Sequence, residues 1–265
     1  MPHARTNGIR LCYERAGAGD PVLLVMGSGA AGRVWTVHQT LALHEAGYET
    51  VIFDNRGMAP SDAPPGRYTL EDMVADTAGL IESLGLTPCR LVGFSLGAVI
   101  VQELAVRRPE LVRGAVLMAT RARSDALRRA QSRSERAMAD AGIALPRVFD
   151  AVTTAGRMLS PSTLNDDSAA SMWLDVLELS GGEQAPGQAW VDLDTDRRDG
   201  LRGVTAPCRV IAFSDDLISP PHLAAEVAEA IPRCDLVEIP AAGHLGLLER
   251  PQEVNRAIIE FLAAC

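Results

Sequence analysis

The stretch Leu91-Val92-Gly93-Phe94-Ser95-Leu96-Gly97-Ala98-Val99-Ile100 puts one hydroxyl between two apolar runs, with a glycine two residues to either side. The run over 90–94 reads as a strand, and a helix starts at Leu96. G-x-S-x-G at a strand-to-helix junction predicts a strained, tight turn whose serine stands exposed at the sheet edge. Small flanking residues avoid clashes there. The bland role for Ser95 is a helix N-cap.

Serine is a poor nucleophile until a base takes its proton. That base should be a histidine oriented by a carboxylate. Of the five histidines, His3 lies in a terminal segment read as mobile. His38 and His44 lie in a helical segment, and His222 opens a helix after Pro220-Pro221. His244 differs, because it follows the last strand on a Gly-flanked loop. It should project over the same edge as Ser95, and it is read as the base. The carboxylate should follow an earlier strand, where Asp215 and Asp216 stand side by side. Either could serve. The order serine, acid, histidine matches this kind of triad.

Positioning these groups takes a particular scaffold. The runs 22–26, 50–54, 90–94, 114–119, 208–213 and 235–239 are apolar and β-branched, as in strands buried on both faces of a parallel sheet. Residues 8–14 read as an N-terminal antiparallel strand. Helical spacing recurs at Leu70, Met73, Val74, Leu80 and Ile81, at Leu223, Val227 and Ile231, and at Val254, Ile258 and Phe261. Alternating strand and helix predicts an α/β fold, a mostly parallel sheet with helices on both faces. The rhythm breaks between 121 and 200, where no strong strand occurs. That span is too long for a plain crossover. It is read as an inserted helical cap between core segments 1–120 and 201–265. Residues 180–188 inside it read as loop. Its arginines (Arg121, Arg123, Arg128, Arg129, Arg133, Arg136) read first as a solvated helix face and second as partners for a substrate carboxylate.

The 265 residues suffice for one large domain without staples. A formal charge of −9 argues against nucleic acid and anionic membrane as partners. No apolar run is long enough to span a membrane, and the N-terminus lacks a signal-like stretch. The expected location is the cytoplasm. The five cysteines are scattered without a C-x-x-C pair, which argues against a zinc site or disulfide framework.

Together these motifs resemble the α/β-hydrolase fold superfamily, over most of 8–120 and 200–265. Asp54-Asn55-Arg56-Gly57-Met58-Ala59-Pro60-Ser61 resembles its D-x-R-G-x-G-x-S stretch, with Ala59 where Gly is usual. Gly243-His244 and Glu249-Arg250-Pro251 resemble its C-terminal G-H…E-x-P segment. In the family the acid lies four residues before a proline; Asp216 stands so before Pro220, and the resemblance selects it over Asp215. It also implies an oxyanion hole from the N–H groups of Leu96 and Ser28, although Met26 holds the place of a usual histidine. Gly27, Trp35, Phe94, Phe149 and Trp173 are the candidate substrate contacts. Serine rather than aspartate at 95 argues against epoxide opening and halide displacement. The expected activity is hydrolysis of an ester-like bond (carboxylic ester, lactone or thioester) of a small molecule, with no metal or organic cofactor. Biosynthetic cyclisation, isomerisation or acyl transfer, and ligand sensing, are the rivals. Homo-oligomerisation is left open.

Overall fold

A computed structural model describes residues 1–180 and 186–265. Its strands are β1 (His3–Thr6), β2 (Ile9–Gly17), β3 (Asp20–Val25), β4 (Tyr48–Phe53), β5 (Cys89–Phe94), β6 (Val112–Met118), β7 (Cys208–Phe213) and β8 (Cys234–Ile239). They form one 8-stranded sheet in the order β1-β2-β4-β3-β5-β6-β7-β8. β1 and β2 pair antiparallel, as do β2 and β4; every pairing from β4 to β8 is parallel. The expected mostly parallel α/β sheet is therefore present.

The helices are α1 (Gln39–Glu45), α2 (Leu70–Ser83), α3 (Leu96–Arg107), α4 (Ala126–Asp140), α5 (Arg147–Met158), α6 (Pro161–Leu164), α7 (Asp167–Ser180), α8 (Arg198–Leu201), α9 (Pro221–Ala230), α10 (Gly246–Glu249) and α11 (Pro251–Ala263). The central strands β3, β5, β6 and β7 are mostly apolar because each face meets helices, whereas the outer β1 and β8 are partly exposed. Leu23, Leu91, Leu117 and Val210 pack with Met73 of α2, Ile100 of α3 and Val227 of α9. Their neighbours Leu24, Val92, Val116 and Ile211 pack on the other face with Leu43 of α1 and Val254 and Ile258 of α11. Alternate residues of a strand point to opposite faces, so both parities must be apolar. Among the described residues, no helix is long and apolar enough to cross a membrane.

Two expectations need correction, and a third falls largely outside the described residues. His3 is not in a mobile tail but opens β1, which pairs with β2 across Asn7-Gly8. Both turn residues have positive φ, 45° and 78°, the geometry that an Asn-Gly pair adopts in a tight hairpin. The arginines after β6 do not form one solvated face. Arg121 and Arg128 are both buried, and Arg128 is the one buried residue of α4. The loop expected over 180–188 falls largely on 181–185, outside the described residues; Ser180 ends α7, and Pro186–Trp190 is a 3-10 turn.

One buried ion pair ties the β4 exit to α2. Arg56 donates to Asp76 through Nε at 2.6 Å and Nη2 at 2.7 Å. Asn7 of the β1–β2 turn donates to the same carboxylate at 3.0 Å. Burial raises the Asp76 pKa, and the hydrogen bonds from Arg56 and Asn7 oppose that rise. Removing one partner of such a pair strands the other charge. Asp76→Asn is expected to lower unfolding free energy by about 3–5 kcal/mol, measured by urea denaturation.

Candidate active site

Strand β5 delivers Ser95 to the carboxyl edge of the sheet. From 89 to 105, Ser95 is the one residue that is not buried. Its φ and ψ are 53° and −118°, far from either the strand before it or the helix after it. Such a backbone is held only where the surroundings over-determine it. Here they do. The Ser95 N–H donates to Met118 O of β6 at 3.0 Å, and Ser95 O accepts the first N–H bonds of α3. A Cβ on Gly97 would stand 2.0 Å from Val25 O, and one on Gly93 would stand 2.6 Å from Gly97 O. The glycines two residues to either side are thus demanded by close backbone approach. Ser95 makes no side-chain capping bond to its helix, which removes the N-cap role.

Strand β8 ends at Ile239, and the loop after it carries His244. Strand β7 ends at Phe213, and the loop after it carries Asp216. The structure brings the three together. His244 Nδ1 lies 2.8 Å from Asp216 Oδ2, and His244 Nε2 lies 3.0 Å from Ser95 Oγ. An ionised carboxylate only accepts, so Nδ1–H donates to Asp216 and Nε2 accepts the Ser95 O–H. The other carboxylate oxygen accepts the N–H groups of Ile218 at 2.7 Å and Ser219 at 2.8 Å. Asp216 and His244 are both 2% exposed. Burial pushes the Asp216 pKa up; the charge and hydrogen bond of His244 and the two backbone N–H groups outweigh it, leaving the carboxyl below its usual range. The neighbouring Asp215 has its N–H tied to Ala242 O and makes no contact with His244. The choice between the two acids is therefore one of geometry.

Leu96 follows this serine directly, and Ser28 follows Gly27, whose Cβ position would lie 3.2 Å from Ser95 Cβ. Leu96 opens α3, where N–H groups have no carbonyl one turn back. The β3 exit loop is held from two sides. Asn55 Nδ2 donates to Met26 O at 2.9 Å. Gln188 Oε1 accepts Gly29 N–H at 2.9 Å and Ser28 Oγ–H at 3.1 Å, while its Nε2 donates to Arg56 O at 2.8 Å. Gln188 is buried and lies 160 residues from the loop that it clamps. Sequence reading missed it, and a lone glutamine in a loop carries no local signal.

The candidate substrate contacts separate. Gly27 lies against Phe94 and Ser95, where a Cβ would meet atoms at 3.1 and 3.2 Å. Phe94 packs on His244 with ring centroids 5.2 Å apart. Trp35 is enclosed in the core cluster containing Met26 and Phe94, a packing position. Phe149 is 55% exposed on α5, and Trp173 is half-buried on α7. No described contact brings Trp35, Phe149 or Trp173 to Ser95.

A residue that sequence reading noted only as part of the family motif, Glu249, fixes the histidine loop. Glu249 Oε2 accepts Gly243 N–H at 2.7 Å. Its Oε1 accepts Ser160 N–H, Ser160 Oγ–H and Thr163 Oγ–H at 2.9, 2.7 and 2.6 Å. Leu245 N–H donates to Met158 O at 3.0 Å, and a Cβ on Gly243 would meet that same oxygen at 2.6 Å. The family motif includes Glu249, but its reach to Ser160 needed the fold. Among the described residues, no cluster of three His, Cys, Asp or Glu side chains makes a metal-binding set.

Strain at the serine, a buried acid–histidine pair and a sheet edge that gathers them define a class of enzyme, and comparison with known proteins agrees. A model of the Alpha/beta hydrolase family matches residues 22–257, and the chain belongs to that family. It is 44% identical over 259 residues to a Mycobacterium tuberculosis protein provisionally named non-heme bromoperoxidase BpoC, covering 97% of this chain and 98% of the relative. The crystal structure of that relative superposes with a TM-score of 0.92, at 43% identity over 96% of each chain. A malate-bound esterase from Thermogutta terrifontis superposes with a TM-score of 0.84, at 29% identity over 100% of this chain and 99% of the other. A protein of Azorhizobium caulinodans, provisionally named carbamate hydrolase RutD, is 26% identical over 98% of each chain.

Two outcomes follow from the geometry. Gly97→Ala should cost more than ~4 kcal/mol or abolish soluble expression, because backbone cannot yield to a Cβ 2.0 Å from a carbonyl oxygen. Circular dichroism melts of the purified variant measure this. The depressed Asp216 pKa should stabilise the fold fully above its ordinary value of 3.8, and that increment should fade as pH falls through the lower folded value. Asp216→Asn should lack this part of the pH dependence in denaturation curves.

Proposed function

We propose that the chain is a serine hydrolase that cleaves an ester-like bond (carboxylic ester, lactone or thioester) of a small molecule through an acyl-enzyme. One observation carries the reading: the unbroken hydrogen-bond chain Asp216–His244–Ser95 ending on a strained, solvent-reaching serine. Ser95 Oγ attacks the carbonyl carbon while its proton passes to His244 Nε2. Asp216 holds the tautomer and stabilises the imidazolium. Negative charge on the tetrahedral oxygen is met by the N–H groups of Leu96 and Ser28. The imidazolium then protonates the leaving group. Water, deprotonated by His244, attacks the acyl-enzyme and releases the acid, restoring Ser95. Residues 121–200 act as a cap over this site, anchored through Ser160–Glu249 and Gln188–Gly29.

The likeness to the bromoperoxidase-named relative supports a second use of the same acyl-enzyme. If hydrogen peroxide replaces water, the product is a peracid, with the same bonds made and broken at the carbonyl.

Intact-mass and peptide mapping after a fluorophosphonate probe tests the reading. Ser95 should be labelled, the label should vanish in Ser95→Ala, and it should drop sharply in His244→Ala. Asp216→Asn should lower ester kcat by about 10⁴-fold while the protein stays folded. A folded wild-type protein that takes no label overturns the proposal. A product lacking the mass of added water would move the reading to acyl transfer or cyclisation.

A further inference from the structure

Most buried or half-buried arginines of this protein have an acid to face. Arg56 faces Asp76, Arg123 faces Glu226, and Arg197 faces Glu103. Arg121 and Arg128 do not. Both are 5% exposed, and among the described residues neither makes an ion pair. Arg121 Nη1 donates only to neutral oxygens, Ile218 O at 3.3 Å and Ser219 Oγ at 3.2 Å. Arg128 Nη1 donates to the amide oxygen of Gln131. The Nε of each is sealed from solvent without a partner.

The two cations also repel one another. Burial lowers the Arg121 pKa to about 10, and the charge of Arg128 adds to that lowering. Arg128 is lowered by burial and further by Arg157, with Glu135, Asp216 and Asp125 opposing. Asp194, Asp216 and Glu135 act on Arg121 without an ion pair; Asp194 already lies 3.7 Å from Arg136, and Asp216 is held by His244. Sequestering charge without a counter-ion is among the costliest arrangements in a protein interior. It persists where an anion completes it.

Location says which anion. Arg121 follows β6, whose Met118 O holds the Ser95 N–H. The residues that accept from Arg121, Ile218 and Ser219, are those whose N–H groups hold Asp216. Arg121 is therefore two hydrogen bonds from the triad acid, at the same sheet edge. A guanidinium fork matches a carboxylate in a bidentate manner.

We propose that Arg121 and Arg128 form an anion subsite beside Ser95, His244 and Asp216 that takes the free carboxylate of a substrate carrying its scissile ester elsewhere. The preferred substrates are then half-esters or carboxylated lactones rather than neutral esters. This rests on the serine-hydrolase reading above.

The test compares kcat/KM for monoethyl glutarate and ethyl pentanoate, which differ chiefly in the terminal carboxylate. Wild type should favour the anion, and that ratio should fall roughly 10- to 100-fold in Arg121→Gln and Arg128→Gln, with the loss mostly in KM. Arg121→Lys should keep part of it. A ratio unchanged in both Gln variants overturns the subsite. If Arg121→Gln does not fold, Arg128→Gln decides, since among the described residues its guanidinium donates only to Gln131.

A binding arm separates this inference from the hydrolase reading. With Ser95→Ala, succinate should raise Tm saturably, and Arg128→Gln should abolish the shift. A larger shift with inorganic phosphate than with succinate, or none with succinate, overturns the assignment to a carboxylate. An Arg128-dependent succinate shift in a protein whose Ser95 takes no fluorophosphonate leaves the subsite standing and removes the hydrolase.

Discussion

The close approach of α3 to β3 governs this molecule. With hydrogen alone at residue 97, the first turn of α3 lies against the Val25 carbonyl. That contact sets how sharply the chain must bend after Phe94 and forces positive φ at Ser95. It also places the free N–H groups of the helix start beside the β3 exit loop. The serine, the start of α3 and the Gly27–Ser28 loop are thus one mechanical unit. The other two members of the constellation come from loops at the ends of β7 and β8. Parallel register brings those ends to the same edge, Phe213 standing beside Ile239. The first long-range demand is that the sheet be parallel.

That demand is written in continuous apolar runs, which is why the sheet was legible. Leu91 and Val92 point to opposite clusters, and no alternation of polar residues survives such a site. Ser95 and His244 were equally legible, because a strained turn and a histidine after the last strand leave local marks. Asp215 against Asp216 was not decided by local pattern alone; their difference lies in which carboxylate reaches His244. Short elements were less legible. β1 has too few apolar residues to announce a strand, and the Asn7-Gly8 turn that folds it onto β2 emerged only from the fold.

What the sequence hid is tertiary. Arg121 and Arg128 look like their neighbours in an Arg-rich run, and only packing separates the buried from the exposed. Trp35 read almost equally as a pocket contact and as packing, and it lies in the core, since aromatic character does not say which side of a loop faces solvent. Gln188 and Glu249 each collect backbone groups from segments far away in the chain, Gly29 in one case and Ser160 in the other, and no spacing rule connects those partners. Polar residues that serve as junctions are visible only once their partners have been folded together.

The Glu249 junction has a mechanical meaning. Its two oxygens grip the residue before His244 and the two hydroxyls of Ser160 and Thr163. Met158 O and Leu245 N–H double the joint a few residues away. The 158–163 elbow of the long β6–β7 excursion is thereby welded to the loop that carries the imidazole. Any swing of α5 or α7 relative to the sheet must pivot about this fulcrum, so the histidine sits at the still point of the motion.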